Sequence, residues 1–288
     1  MLTVRSFCQL AATVVCALPF FSGCRTSLDW IPEGMPVSGV CAHRGNDGKM
    51  PENTVPAWRN AAALGAEMVE LDVKRCATGE LVIMHDRTVD RTTNGKGEVA
   101  KMSFAQLRAL NAACRGGRPL PGFEDVRIPT LDEALDAIPR DGVWINCHCG
   151  AGTAVEVARR IQAKNRLHQA FVAASLKEIA AAREVVPGIL ACNMSRPYKG
   201  VDAYRKPWPP EQSTLYAQQT IEHRCQFLQL LAPCSKADAD MLHAAGVKIS
   251  YFHCEDPEKV RNLLGLGVDF ILTDNLVAIR NKMKELAK

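Results

Sequence analysis

The 288-residue sequence has no internal repeat and no low-complexity tract, which excludes a solenoid array or a disordered linker as its main architecture. It has no Cys-x-x-Cys spacing. Its one close cysteine pair, Cys147 and Cys149, would sit two apart on a strand, poorly placed for a disulfide. It lacks a strong charge of either sign, since a formal net charge of +4 is too weak to argue for a nucleic-acid partner. It also lacks a long apolar run: the stretch from Leu10 to Phe21 is short for a bilayer span. What remains, 47% hydrophobic and 23% charged residues, is an ordinary globular composition, with length for one large domain of α/β-barrel size.

Residues 1–23 contain one basic residue, Arg5, and no acid, ahead of and around an apolar run, which is the pattern of a secretion signal. Phe21-Ser22-Gly23-Cys24 resembles the bacterial lipoprotein cleavage box, with Phe where Leu is usual. The expectation is a lipidated Cys24, a tether over residues 24–38, and a lipid-anchored place in the bacterial cell envelope, in the periplasm, outer membrane or cell surface. Plain secretion or a single span are the alternatives. Removing the signal takes Arg5 with it, so +4 becomes +3. Of 12 cysteines, setting aside Cys8, Cys16 and Cys24 leaves an odd number, so at least one is expected to be free or paired between molecules, and most to act as small buried apolar residues.

The chemistry is concentrated between Val40 and Asp86. Val40–Ala42, Met68–Val73 and Leu81–Met84 read as strands, and each carries polar groups within it or at its end: His43-Arg44-Gly45, Glu70-Leu71-Asp72 and His85-Asp86. Thr54 to Leu64 reads as a helix between the first two strands, with Pro51-Glu52-Asn53 as its entry signal, giving a parallel crossover. Glu70 and Asp72 point to one face of a strand, where two carboxylates repel unless a cation lies between them. That favours a divalent metal. The ordinary alternative is that one carboxylate faces solvent and the other pairs with Arg44 or Lys74. The link from Val73 to Leu81 is too short for a helix, so Leu81–Met84 is expected to fold back antiparallel and bring His85 opposite Leu71 and Asp72.

Further along, about residues 87–125 read as an insertion rather than a βα unit, with a Gly/Pro-rich loop over 116–122, placed to cap a substrate, and Thr130 caps a helix to Ile138 with Glu133 at the capping-box position. Helices and strands then alternate to Val277–Lys288. The expected fold is a (β/α)8 barrel over residues 39–288 with that small insertion after His85. One candidate strand is in excess of eight, and the arm Leu81–Met84 or a later run is expected outside the ring. Residues 196–219 read as a long loop on the catalytic face, with Tyr198, Tyr204 and Trp208 candidates to line a pocket or simply to lie on the surface.

His43-Arg44-Gly45, Pro51-Glu52-Asn53-Thr54, Glu70-Leu71-Asp72-Val73, His85-Asp86 and Asp90-Arg91-Thr92-Thr93-Asn94-Gly95, in this order, resemble the signature of glycerophosphodiester phosphodiesterases. The resemblance runs on weakly through Ile128-Pro129-Thr130-Leu131-Asp132-Glu133 to Gly267-Val268-Asp269 and Thr273-Asp274. It implies a small phosphodiester substrate, one divalent ion (Ca²⁺, Mg²⁺, Mn²⁺ or Zn²⁺) on Glu70 and Asp72, and His43 and His85 as acid and base. It implies Arg44 on the phosphate and Glu52 on the substrate or the metal, with Asn53 and Asp86 in support. The pattern breaks where related enzymes carry Asn-Ile-Glu-Leu-Lys. Here Asn146-Cys147-His148-Cys149-Gly150 puts His148 at the third metal-ligand position, which would turn metal preference from Ca²⁺ toward ions that accept nitrogen; the alternative is a histidine that only hydrogen-bonds Glu70 or fills space. Tyr251-Phe252-His253 likewise stands where Trp-Thr-Val is typical. Two other readings keep this barrel: a phosphodiesterase for another phospholipid or sugar phosphodiester, and a tethered binding protein without catalysis.

Overall fold

The structure is a computed structural model, and the description covers residues 34–195, 209–232 and 234–288. The signal, Cys24, most of the tether, Tyr198, Tyr204 and Trp208 lie outside the described residues.

The first short apolar run forms β1 (Gly39–Ala42) and continues into a 3-10 turn, His43–Gly45, before α1 (Val55–Ala63). Thr54 caps α1 by accepting the Ala57 N–H, and Pro56 sits in its first turn, where a missing N–H costs nothing. The chain then enters β2 (Met68–Arg75) and turns back through β3 (Leu81–Ile83). After the insertion come α3 (Leu131–Ala137), β6 (Trp144–Cys149), α4 (Ala154–Ala163), β7 (Ala170–Ala174), α5 (Leu176–Val185) and β8 (Leu190–Asn193). Then follow α6 (Pro210–Glu222), β9 (Phe227–Leu230), α7 (Lys236–Ala244), β10 (Lys248–Phe252), α8 (Val260–Gly265), β11 (Phe270–Thr273) and α9 (Leu276–Leu286). The insertion itself holds α2 (Phe104–Arg108) and a two-stranded hairpin of β4 (Cys114–Arg115) and β5 (Arg118–Pro119).

Eight strands, β1, β2 and β6 to β11, run parallel in a closed ring, because β1 pairs with both β11 and β2. This is the expected (β/α)8 barrel. The surplus strand is β3, antiparallel on β2 outside the ring with Val73 opposite Ile83. The Met84 N–H donates to the Asp72 carbonyl, so His85 follows at the end of β2's catalytic edge, as the hairpin reading anticipated.

Ring strands are buried on both faces, as parallel strands covered by helices must be. Between ring and helices lies the larger core, with Trp58, Val69, Leu135, Ile145, Ile161 and Val172. Inside the ring Met68, Trp144, Phe171, Phe227 and Phe270 plug one end. Phe171 and Phe227 stack at 4.2 Å between centroids, and Phe270 meets Phe227 edge-on at 6.0 Å. Each such ring contributes about 1.5–3 kcal/mol by leaving water, so one end of the barrel is closed and dry and the polar groups collect at the other. A third cluster, Val82, Met84, Val89, Val99, Leu107 and Ile128, packs the insertion onto β3.

Two local expectations are corrected. Residues 210–219 are not loop, because Pro210 opens α6 with its fixed φ at a position that needs no N–H donor. The Gly/Pro-rich part of the insertion contains the β4–β5 hairpin, closed by Gly116 and Gly117 at positive φ. The nine described cysteines are all buried and free. Among the described residues no helix is long and apolar enough to cross a membrane.

Candidate active site

The open end of the ring is built from strand ends. His43 leaves β1 in a tight turn in which Arg44 takes a left-handed conformation, φ 56°, and Gly45 follows at φ 69°. A side chain at Gly45 would meet Trp58 Cδ1 at 2.5 Å, so this position excludes every other residue. The strained Arg44 is held by its N–H donating to Glu70 Oε2 at 2.8 Å and by its carbonyl accepting the Asn53 N–H at 2.8 Å. A left-handed residue other than glycine costs about 1–2 kcal/mol, and these two bonds keep the turn that aims His43 inward.

Glu70 and Asp72 lie on the inner face of β2, 3% and 5% exposed. Asn53 clamps Asp72 from both sides, donating from Nδ2 to Oδ2 at 2.8 Å and accepting the Asp72 N–H at Oδ1 at 3.2 Å. On β6, His148 is in register with Asp72. Its Nδ1 stands 3.1 Å from Asp72 Oδ1 and 3.6 Å from Glu70 Oε1. Each of the three offers a ligand atom within 4.8 Å of the others. Burial pushes the Asp72 carboxyl up, but the hydrogen bond and charge of His148, with His85 and Asn53, outweigh it and hold it well below the carboxylate range. Burial likewise opposes protonation of His148, and the two carboxylates overcome it, pushing the imidazole up to about 9. Protonated, the imidazole is a counter-charge of the acidic pair, together with the Arg44 guanidinium, whose Nε lies 3.7 Å from Asp72.

Two more imidazoles flank this cluster, each held at Nδ1 by a carboxylate. His43 Nδ1 is 3.1 Å from Asp274 Oδ1, and His85 Nδ1 is 2.7 Å from Asp86 Oδ1. Burial pulls the His43 imidazole down, but the hydrogen bond to Asp274 and the charge of Glu70 leave it above its ordinary value. Asp86 is lowered to about 2, first by Arg91, against the effect of burial, and then by His85. Sequence reasoning passed over Asp274 and Arg91 as functional groups, although both lie inside quoted motifs, and Asp274 directly follows β11 as His43 follows β1.

Glu52 stands apart from the three-residue cluster. Its carboxylate accepts Arg44 Nη1 at 2.8 Å and Arg91 Nη1 and Nη2 at 2.6 and 2.7 Å. Burial would raise its carboxyl, and the two guanidiniums bring it below the ordinary value. Arg91 also donates from Nε and Nη2 to Asp86 at 2.7 and 3.0 Å. An unbroken charged chain, Arg44, Glu52, Arg91, Asp86, His85, thus surrounds one side of the site. Arg44 Nε is buried, has no hydrogen-bond partner among the described residues, and faces the Asp72 carboxylate at 3.7 Å. Opposite, His253 lies 5.8 Å from the His43 ring, and its ring and the carboxylates of Glu255 and Asp274 form a second, more exposed trio.

A model of the glycerophosphoryl diester phosphodiesterase family matches residues 43–278. The chain belongs to this family. It is 27% identical over 264 residues to a glycerophosphodiester phosphodiesterase of Bacillus altitudinis, across 85% of this chain and 99% of that one. It is 41% identical over 113 residues to a glycerophosphodiester phosphodiesterase of Caldanaerobacter subterraneus subsp. tengcongensis, 39% of this chain. The chain spans 45% of the length of that second relative. A solved structure of an Oleispira antarctica phosphodiesterase in complex with the product sn-glycerol-3-phosphate superposes with a TM-score of 0.67 at 23% identity, over 86% of this chain and 97% of that one. At that identity the likeness is one of fold.

Within this glycerophosphoryl diester phosphodiesterase family member, the end of β6 is where the sequence breaks the expected motif. Gly150 stands where the resemblance implies a lysine, and the geometry there is tight. The Gly150 N–H donates to the Val73 carbonyl at 2.9 Å, and a Cβ on Gly150 would meet that same oxygen at 2.7 Å. With the Val73 carbonyl this close, a side chain at Gly150 requires the backbone of β2 or of the segment after β6 to shift.

Proposed function

We propose that this chain hydrolyses glycerophosphodiesters to a glycerol phosphate and an alcohol, with His43 and His85 as the proton-transfer pair. The observation that carries the reading is that both imidazoles are pinned at Nδ1 by Asp274 and Asp86, which leaves Nε2 of each without a hydrogen bond among the described residues, while His43 feels the charge of Glu70 and His85 that of Asp72. A phosphodiester is an anion with a poor leaving group, so its cleavage needs positive charge on the non-bridging oxygens and one proton moved at each end. One imidazole takes the proton of the attacking oxygen as its bond to phosphorus forms: water gives glycerol phosphate directly, and a neighbouring substrate hydroxyl gives a cyclic phosphate that water then opens. The other gives a proton to the alcohol oxygen as its bond to phosphorus breaks. Arg44, held beside Glu52, supplies its guanidinium to a phosphate oxygen.

Glu70, Asp72 and His148 fit a divalent cation, because two buried carboxylates and an imidazole converge within reach of one ion. Bound there, the ion would supply Lewis-acid charge to the phosphate. The nitrogen donor favours Mn²⁺ or Zn²⁺ over Ca²⁺. Asn53 fixes the Asp72 carboxylate for that task, and Glu52 aligns Arg44 toward the substrate. Two intact histidine–aspartate pairs argue against a binding protein without catalysis. The purified chain, stripped of metal, should release glycerol phosphate from glycerophosphocholine or glycerophosphoinositol when Mn²⁺ or Zn²⁺ is restored. Full activity in both His43→Ala and His85→Ala would refute the acid/base assignment.

The Phe21-Ser22-Gly23-Cys24 box supports, as a further part of this reading, a lipid anchor in a bacterial envelope. Labelled palmitate should enter the wild-type chain and not Cys24→Ala; equal labelling of both would dismiss the anchor.

A further inference from the structure

Between the segment that follows β1 and the insertion lies a cleft of about 300 Å³. Lys49, Glu52, Arg91 and Arg115 supply its charged lining, with Leu120 and Met50 among the apolar walls. Its inner wall is Glu52 and Arg91, which contact Arg44 on one side and Asp86 on the other. The cleft thus adjoins the candidate active site through Glu52 and Arg91, which it shares with Arg44 and Asp86.

The polarity of the lining is one-sided. Glu52 is its only carboxylate, and both Glu52 oxygens already accept guanidinium N–H groups. Arg91 is likewise engaged with Glu52 and Asp86. Lys49 and Arg115 have no ion-pair partner among the described residues, although they face the same cleft. No aromatic ring of Phe, Tyr, Trp or His lines it among the described residues, so it offers neither a cation–π cage nor a free carboxylate to a quaternary ammonium headgroup. Two unneutralised cations in a concave site instead focus a positive potential onto whatever enters.

We propose that this cleft is a headgroup subsite for an anionic substituent, a carboxylate or a second phosphate, on the alcohol esterified to the glycerol phosphate. Lys49 and Arg115 are its ligands. The inference rests on the phosphodiesterase reading and adds the substrate class: diesters whose leaving alcohol is itself negatively charged, in preference to choline esters. The insertion then serves specificity, since it supplies Arg115 while the barrel supplies Lys49.

The test is kcat/KM on matched pairs differing only in the anion: glycerophosphoinositol against its 4-phosphate, and glycerophosphoglycerol against glycerophosphoglycerate. The first pair reports a phosphate and the second a carboxylate. The wild-type chain should prefer the charged member of at least one pair on the order of tenfold, with the preference shrinking as salt is raised to about 0.5 M, where screening is short-ranged. Lys49→Ala with Arg115→Ala should bring the ratio toward one, and the charge-conserving double variant Lys49→Arg with Arg115→Lys should keep it, which separates charge from damage to the fold. A wild-type ratio at or below one in both pairs, or a preference untouched by the double alanine variant, overturns the subsite while leaving the phosphodiesterase reading standing. No turnover of any of the four overturns both.

Discussion

Asp274 holds His43 across the seam where the barrel closes: Nδ1 and Oδ1 are 3.1 Å apart, and the residues follow β11 and β1, neighbours in the ring but 231 positions apart in the chain. The pairing fixes which nitrogen of His43 is free to exchange a proton. It also supplies much of the reason that the imidazole stays protonated above its ordinary range.

Asp274→Asn removes that charge while keeping the shape. The His43 pKa falls, so whichever limb of the kcat/KM profile His43 controls should move to lower pH. Loss of the fixed tautomer should reduce kcat by about 10²- to 10⁴-fold. An unchanged pH profile would show that His43 does not titrate in the reaction.

Arg91 bridges Glu52 and Asp86 with four hydrogen bonds. Arg91→Lys cannot reproduce a planar fork with two carboxylates, so it should behave nearly as badly as Arg91→Ala. The expected loss is about 10- to 100-fold, mainly in kcat, because the residue orients His85 through Asp86. Equal kinetics for Lys and Arg at this position would show that charge alone is needed.

His148→Glu places a hard oxygen donor beside Glu70 and Asp72. Titration calorimetry should then show Ca²⁺ affinity rising and the preference for Mn²⁺ or Zn²⁺ narrowing relative to the wild type. His148→Ala should weaken Mn²⁺ binding by about 10-fold or more. If neither variant alters metal affinity, His148 serves only as a counter-charge of the acidic pair.

Gly150→Lys tests whether the lysine expected here from the family resemblance could be accommodated by substitution alone. The new Cβ meets the Val73 carbonyl at 2.7 Å, so the variant should lose about 1–3 kcal/mol of stability. That corresponds to a lowering of the melting temperature of about 2–4 °C for each kcal/mol. A stable variant with lower KM would mean that the β2–β6 contact relaxes freely.

Much of this architecture was legible because its signals are local. Alternating apolar runs and capping residues such as Thr54 and Thr130 located helices and strands to within a residue or two. The short link after Val73 told that β3 must turn back, and the i, i+2 spacing of Glu70 and Asp72 put both carboxylates on one face. The helix at Pro210 was missed because a double proline reads as loop until it is seen to begin a helix.

What the chain alone decided, then, is the set of elements and the polar groups at their ends, since backbone period and capping depend on residues a few positions apart. The tertiary structure decided the partners. Only ring closure could bring Asp274 to His43, only the folded insertion could lay Arg91 between Glu52 and Asp86, and only the register of β6 on β2 could set His148 against Asp72 and bring Gly150 up against the Val73 carbonyl. Each of these depends on distances between segments far apart in sequence, which no local pattern encodes.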